Sequence, residues 1–480
     1  MLAILAESAS NNPADLAEAS GTAVERFLKW VDDPEKRALA IDAALPQRLN
    51  KDVIAVLVGE EKSEALFDWL KTMPFVRERS DGWAYHDVVR PQMLRYSKKS
   101  SRDEWSQKQS QLANYYGDRC QKLGLKEDEK YKNSNWQGYA LEQLYHRLCS
   151  HPQQALPAAL SQFVQALNQK RRFAQQWAAV MSQTGLDADN SKVKAWGERL
   201  FNGLQAYDDD QYIQTINAFT QLLKVETLES YERADVLAWR GEVCRLDSNY
   251  EFALADFNCA IEIDPELEWA IASRGETYQL MEHYEEALAD FSRAIELDPE
   301  YKWAITSRGE VHEKLAQYEE AIDNYSRILE LDPEHKLALS MRGLNYLLSK
   351  QYEKSIEDLT ATLLVEENSP CYCCRTLAHL GLGKVEHAKA DLIQAIQLAT
   401  EDHKRDPQQH RNTFNLGLYY LIARKPETAR VYYKEAIQRN APWGVVLDAI
   451  DDLQRLAIII PNHPHVEELE AFLRQTNAKR

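Results

Sequence analysis

The chain repeats itself with a period of about 34 residues, and this constrains its fold more than any other feature. Gly241, Gly275, Gly309 and Gly343 recur at that one constant interval, as do Tyr250, Tyr284, Tyr318 and Tyr352, and Pro265, Pro299 and Pro333. A repeat this short cannot bury an apolar core alone. Its two amphipathic helices must share their faces with neighbours in a stacked array. The glycines fall in the first helix, where a side chain would collide with the second. Each costs about 1 kcal/mol of helix propensity against alanine, so close packing has to compensate. Ala253, Ala287 and Ala321 admit the second helix, while Phe257, Phe291 and Tyr325 fill the space between repeats. Asp-Pro at 264–265, 298–299 and 332–333 ends the second helix, because proline disfavours helical geometry in the residue before it.

A Gly, an Ala/aromatic pattern and a Pro at this period resemble the tetratricopeptide repeat. The resemblance implies an all-α superhelical solenoid. Upstream, Gly203, Tyr212 and Phe219 precede Gly241, Tyr250 and Phe257 by one repeat plus four residues, and the four extra ones fit a loop around Glu226–Tyr231. Downstream, Leu380, Val385, Ala388, Leu392 and Ala395 keep the outline, and Leu416, Gly417, Tyr420, Ala429, Tyr433 and Ala436 recover it. Seven helix pairs are expected, followed by closing helices over Gly444–Ile460 and His465–Gln475. Terminal repeats are atypical because their outer face meets water.

A chain of 480 residues exceeds one ordinary core. Its 44% hydrophobic and 28% charged residues suit a soluble, helix-rich protein. A net charge of −18 argues against a general affinity for nucleic acid or anionic membrane. The sequence contains no apolar run long enough to span a bilayer, and MLAILAESASNN lacks the basic leader of a signal peptide. Seven irregularly spaced cysteines fit a reducing cytoplasm. Cys371, Cys373 and Cys374 cluster near His379, but this crowding on one repeat helix suits packing better than a tetrahedral zinc site. No metal and no cofactor are expected.

The amino-terminal segment reads differently. A helix before Ser8, a helix carrying Val24, Phe27, Leu28 and Val31, and short helices over Glu35–Leu45 and Lys51–Val58 precede a longer helix, Glu61–Met73. Phe75–Arg79 and Trp83–His86 alternate around a Ser80-Asp81-Gly82 turn, which predicts a β-hairpin. A helix from Asp87 to about Lys98 closes this winged-helix outline. Tyr85-His86-Asp87-Val88-Val89-Arg90 resembles the MHD motif of signalling NTPases of the STAND/NB-ARC class, with Tyr for Met, and Leu2-Ala3-Ile4-Leu5-Ala6 is similar to the helix end that precedes the winged helix there. That resemblance implies His86 as a nucleotide sensor and a P-loop domain before residue 1. No G-x-x-x-x-G-K-[ST] occurs in the chain, so nucleotide is expected only if that domain is supplied elsewhere. DNA binding would need a basic recognition helix. Glu61–Met73 sets Lys62 and Lys71 against Glu61, Glu64 and Asp68, and the basic run Arg95, Lys98, Lys99, Arg102 lies beyond the hairpin. Helices over Ser101–Gly124, Trp136–Leu148, Gln153–Leu167 and Arg172–Met181 follow, with a polar connector at Leu125–Asn135 and a break at Thr184–Ser191. The expected domains are 1–100, winged-helix-like; 101–191, a helical connector; and 192–480, the solenoid with its closing helices.

Neither a nucleophile elbow nor HExxH nor a kinase signature is present, so an enzyme is not expected. Arg240, Arg274, Arg308 and Arg342 precede the four glycines, each matched at one fixed spacing by Asp256, Asp290, Asn324 or Asp358. Such a row of Arg suits phosphate or a peptide carboxylate; the matched Asp/Asn row favours a contact between the two helices of each repeat. The remaining candidate is the concave groove lined by the first helices. Its inward positions are expected at Trp269, Ala272, Ser273, Glu276 and Gln279, then Trp303, Thr306, Ser307, Glu310 and Glu313, then Leu337, Ser340, Met341, Leu344 and Leu347. Repeat proteins that clamp a carboxylate terminus place Lys and Asn there, which this chain lacks. Trp269 and Trp303 either meet an extended or helical peptide with apolar and basic side chains or cap the interfaces between repeats. A protein-binding scaffold or sensor arm is expected, with the rear part of an ATP-dependent STAND switch and a winged-helix transcription regulator as alternatives.

Overall fold

The computed structural model describes residues 28, 29, 31–79 and 82–477, which form two compact units, one ending at Pro265 and one beginning at Glu266. The readings of the helices before residue 28, of Leu2–Ala6 and of Ser80-Asp81 lie outside the described residues.

The first unit opens with α1 (Pro34–Asp42), α2 (Lys51–Val58) and α3 (Glu60–Lys71), then the antiparallel strands β1 (Val76–Arg79) and β2 (Gly82–Tyr85). Short polar side chains start the first two helices: Asp33 accepts from the backbone of Glu35 and Lys36, and Asn50 from that of Val53. Leu49 adds a bridge residue beside the hairpin, donating its N–H to the Trp83 carbonyl at 2.7 Å and accepting from Trp83 at 3.2 Å. The next helix, α4 (Arg90–Ser100), begins three residues later than Asp87. The Asp87 carboxylate is held against the hairpin instead, by Arg77 at 2.7 Å and Arg79 at 2.6 Å. Leu39, Leu45, Ile54, Leu70, Phe75, Tyr85 and Met93 form the core, and the Tyr85 hydroxyl donates to the Ala40 carbonyl.

The unit continues as α5 (Arg102–Lys122), a single turn α6 (Glu127–Lys130) inside the expected connector, α7 (Ser134–Ser150), α8 (Pro152–Gln169), α9 (Arg171–Asp187), α10 (Ser191–Asp208), α11 (Tyr212–Leu222), α12 (Ser230–Leu246) and α13 (Tyr250–Ile263). The break read at Thr184–Ser191 is a correction: α9 runs on to Asp187 and only residues 188–190 turn. The cause is a close helix crossing. A Cβ on Gly197 would sit 2.1 Å from the Ser182 nitrogen, and one on Gly185 would sit 2.2 Å from that of Lys194.

The second unit stacks helical hairpins: α14 (Glu268–Leu280) with α15 (Tyr284–Leu297), α16 (Lys302–Lys314) with α17 (Tyr318–Leu331), α18 (Lys336–Leu348) with α19 (Tyr352–Val365), α20 (Ser369–Gly381) with α21 (Val385–Arg405), and α22 (His410–Ile422) with α23 (Pro426–Gln438). Two closing helices follow, α24 (Trp443–Ile459) and α25 (Val466–Asn477). A Cβ on Gly309 would stand 3.0 Å from the Tyr325 ring, and one on Gly343 3.0 Å from Leu359 Cγ, so these glycines mark where the paired helices touch. Among the described residues the elements other than the hairpin and its bridge residue are helical, and the fold is an all-α solenoid of helical hairpins. Among the described residues no helix is long and apolar enough to cross a membrane.

Candidate functional site

A ladder of arginines holds the hairpins rigid. In the second unit Arg274 grips Asp290 through Nε at 2.8 Å and a terminal nitrogen at 2.7 Å, and Arg342 grips Asp358 in the same fork at 2.7 and 2.8 Å. The first unit has the same fork between Arg240 and Asp256. Another arginine joins the row unannounced by the repeat register: Arg375 grips Asp391 at 2.8 and 2.7 Å. It escapes the pattern because Arg375 comes one position early after Arg342, while the spacing from each Arg to its Asp is kept. The third guanidinium nitrogen reaches backwards, from Arg342 to the Ser326 hydroxyl and from Arg375 to that of Thr360. Each of these two arginines therefore ties three helices together, and with every guanidinium nitrogen engaged neither is placed to hold a phosphate or a peptide carboxylate.

One rung differs. Arg308 finds Asn324 Oδ1 at 2.8 Å and the Ser292 hydroxyl at 3.2 Å, with no carboxylate. Arg274 and Arg342 are pushed up in pKa chiefly by their hydrogen bonds to Asp290 and Asp358, whereas burial and then Arg327 push Arg308 down.

On this frame the predicted groove residues divide. Trp303 is 36% exposed and Leu337 49%, at equivalent places near the starts of α16 and α18. Ion pairs Lys302–Asp332 and Lys336–Glu366 flank them, and Trp303 meets Tyr301 edge-on at 5.8 Å. Trp269 and Glu276 are half-buried on α14. Gln279 hydrogen-bonds the Glu310 carboxylate, which burial holds above its ordinary pKa. Further along α16, Glu313 is only 6% exposed and takes hydrogen bonds from the side chains of Asn345 and Tyr325. Burial raises it too, opposed by Asn345 and Arg455. Leu344 packs at the edge of an apolar cluster that includes Val446, Ala449, Ile450, Leu453 and Leu456.

Those last five residues belong to α24, which sequence reasoning left as a closing helix. It lies along first helices of four successive hairpins: it packs on α18 and α22, shares the apolar cluster with Cys373 and Leu377 of α20, and pairs Asp451 with Lys314 of α16 at 2.6 Å. Arg455 faces Glu313 at 3.8 Å, and Asp448 holds Arg411 of α22 at 2.8 Å. The spacing i, i+3, i+4, i+7 of Val446, Ala449, Ile450 and Leu453 was legible; the surface it covers was not. Burial raises Asp452, in the same interface, with Arg455 opposing.

The other candidates sit apart. His86 is half-buried just after β2, its backbone N–H donating to the Phe75 carbonyl at 2.7 Å. Cys371 and Cys373 are buried in α20 and Cys374 is half-buried beside them, while His379 Nε2 turns to Asp391 at 3.6 Å. In the first unit Lys62 and Lys71 of α3 are paired with Glu35 and Asp68, and Lys98 with Asp189.

Residues 269–301 match one family model described as the tetratricopeptide repeat, and residues 306–370 match a second model of the same description. Among solved structures the chain is similar to MamA (20% identity, TM-score 0.35, covering 36% of this chain and 96% of that one). It is also similar to a tetratricopeptide repeat protein from Parabacteroides merdae (17%, TM-score 0.43, 58% and 99%). A third is YrrB, titled a TPR protein with an unusual peptide-binding site (19%, TM-score 0.28, 49% and 99%). No curated protein gives a significant match.

Proposed function

We propose that this chain, which carries tetratricopeptide repeats, is a non-enzymatic cytoplasmic scaffold that holds a protein or peptide partner across the first helices of its second unit. The observation that carries the reading is the pair Trp303 and Leu337, exposed at equivalent positions of successive repeats whose hairpins Arg308 ties to Asn324 and Arg342 to Asp358. Exposed aromatic and aliphatic side chains on a rigid backbone lose little conformational entropy on binding, and anchors of this kind dominate interface energy. Trp269, Glu276, Gln279 and Glu310 extend the surface toward the start of the unit.

For residues up to about 100 we infer a winged helix. The order α1, bridge residue Leu49, α2, α3, β1, β2 supports it. Its third helix carries a mostly acidic exposed face with both lysines already paired, so the segment suits contact with protein better than a DNA groove. The connector from 101 to 191 and the solenoid from 192 complete the proposed division.

The test is affinity capture with the full chain and with a Trp303→Ala/Leu337→Ala variant of unchanged helicity. A partner retained by wild type and lost by the variant is expected. Identical capture by both would remove these positions from the binding surface.

A further inference from the structure

The face that the first helices present is already occupied by part of the chain. A helix added to the end of the stack would touch the last hairpin, as α25 does, packing on α23 and joining Glu468 to Arg430. Helix α24 instead reaches back to α16, three hairpins earlier, through Lys314–Asp451 and Arg455–Glu313. It brings an apolar stripe (Val446, Ala449, Ile450, Leu453, Leu456) into the groove, with charges at both ends of its footprint, Asp448 on Arg411 and Asp451 on Lys314. This is helix-in-groove recognition made within one chain. The contact is not a uniformly apolar core: the Glu313 carboxylate is buried in it, 3.8 Å from Arg455 of α24, with the half-buried Asp452 beside them. Burying the Glu313 carboxylate carries a desolvation cost that an apolar residue there would not, so the contact is weaker than a wholly apolar seal.

We propose that the groove formed by α16, α18, α20 and α22 is a helix-binding site whose resident ligand is α24, and that its partner is an amphipathic helix of the same pattern. That partner carries apolar residues at i, i+3, i+4 and i+7 and acidic residues placed to meet Lys314 and Arg411, and it enters by displacing α24. The inference rests on the scaffold reading and adds the class of partner. Occupancy by the resident helix lowers the apparent affinity for any competitor by the fraction of time the groove is open.

The probe is a fluorescent synthetic peptide of residues 443–460, titrated against the full chain. Asp451→Lys sets an ammonium group of the resident helix against that of Lys314 on α16 and leaves the groove residues unchanged. That variant is expected to bind the peptide at least tenfold more tightly than wild type does. The charge-swapped chain, Lys314→Asp with Asp451→Lys, is expected to close again and to reject the native peptide. This second chain keeps its ion pair, so it serves as the test if the single variant fails to fold; it should favour a peptide carrying Asp451→Lys over the native sequence. Binding no tighter than that of a scrambled peptide in every chain would overturn the proposal. Loss of capture in the Trp303→Ala/Leu337→Ala variant alongside that result would leave the scaffold reading standing without helix exchange.

Discussion

Replacing Asn324 by Asp should stabilise the second unit, because it supplies the one carboxylate that the arginine ladder lacks there. Arg308 is half-buried and bonded to Asn324 through a single 2.8 Å contact, where Arg274 and Arg342 each close a two-pronged fork. The neighbouring pair sets the expected environment, with Arg274 18% and Asp290 8% exposed in their side chains. A hydrogen bond to a charged group contributes about 1.5–3 kcal/mol, and removing the new carboxylate from water takes back a smaller part of it, because the guanidinium is already in place to pair with it. Asn324→Asp also gives up the Nδ2 bond to the Glu320 carbonyl at 2.7 Å, a contribution of about 0.5–1 kcal/mol. A net gain of about 1 kcal/mol remains, or about 2–4 °C in Tm for a folding unit of this size. The assay is thermal and chemical denaturation of the full chain beside the wild type. Asp290→Asn, which turns a charged rung into a copy of the Arg308 rung, is the companion variant and should lose about 1 kcal/mol by the same accounting. An unchanged or lowered Tm for Asn324→Asp would refute the reasoning, since a ladder held by shape alone would not notice the charge.

Two further predictions concern the first unit. Burial raises Glu142 to about 7 against the pull of Arg90 and Arg48. The folded state then keeps a proton that the unfolded chain has released, so stability falls as pH rises from the ordinary carboxylate range through 7, by up to about 3 kcal/mol. Glu142→Gln should abolish that slope and gain on wild type between pH 5 and pH 8 in denaturant titrations; an equal difference at both pH values would contradict it. His146, held down at about 3 by burial, contributes the opposite slope in acid and lies 3.6 Å from the Glu142 carboxylate, so Glu142→Gln is also compared in a His146→Gln background, where the Glu142 slope should persist. Gly197→Ala should cost about 3 kcal/mol, because its Cβ would stand 2.1 Å from the Ser182 backbone nitrogen and overpacking against backbone cannot relax cheaply. Gly138→Ala, with nothing within 4 Å, should instead gain up to about 1 kcal/mol of helix propensity, and the two melting curves should move in opposite directions.

Local signals made much of this molecule legible. The repeat period follows from the geometry of one helical hairpin and its contact with the next, so Gly275, Gly309 and Gly343 could be placed against their second helices before any coordinates. The Arg and Asp rows could be matched because both members of each pair lie within one repeat, at the same separation every time. Where the register slips by one position, at Arg375 and Asp391, the internal spacing still carried the signal and a search for that spacing would have found it. The turns between paired helices were less visible. Glu282, Ala316 and Lys350 take left-handed backbone, with φ of 62°, 56° and 63°, although none is the glycine that such a conformation favours. Packing of the hairpin on both sides imposes the turn.

The sequence by itself determined which segments are helical, which face of each is apolar, and how often the pattern returns, because these depend on residues within one or two turns of each other. Only the tertiary structure decided what each face meets. The stripe on Trp443–Ile459 would serve equally well to cap the stack or to enter a groove; Lys314 and Arg411, lying 137 and 37 residues from their partners, settle it. The same holds for Gly185 and Gly197, whose helices cross so closely that the expected break shrinks to three residues. Contacts between surfaces far apart in the chain depend on how every intervening repeat rotates, and that sum of small rotations is carried by packing rather than by local pattern.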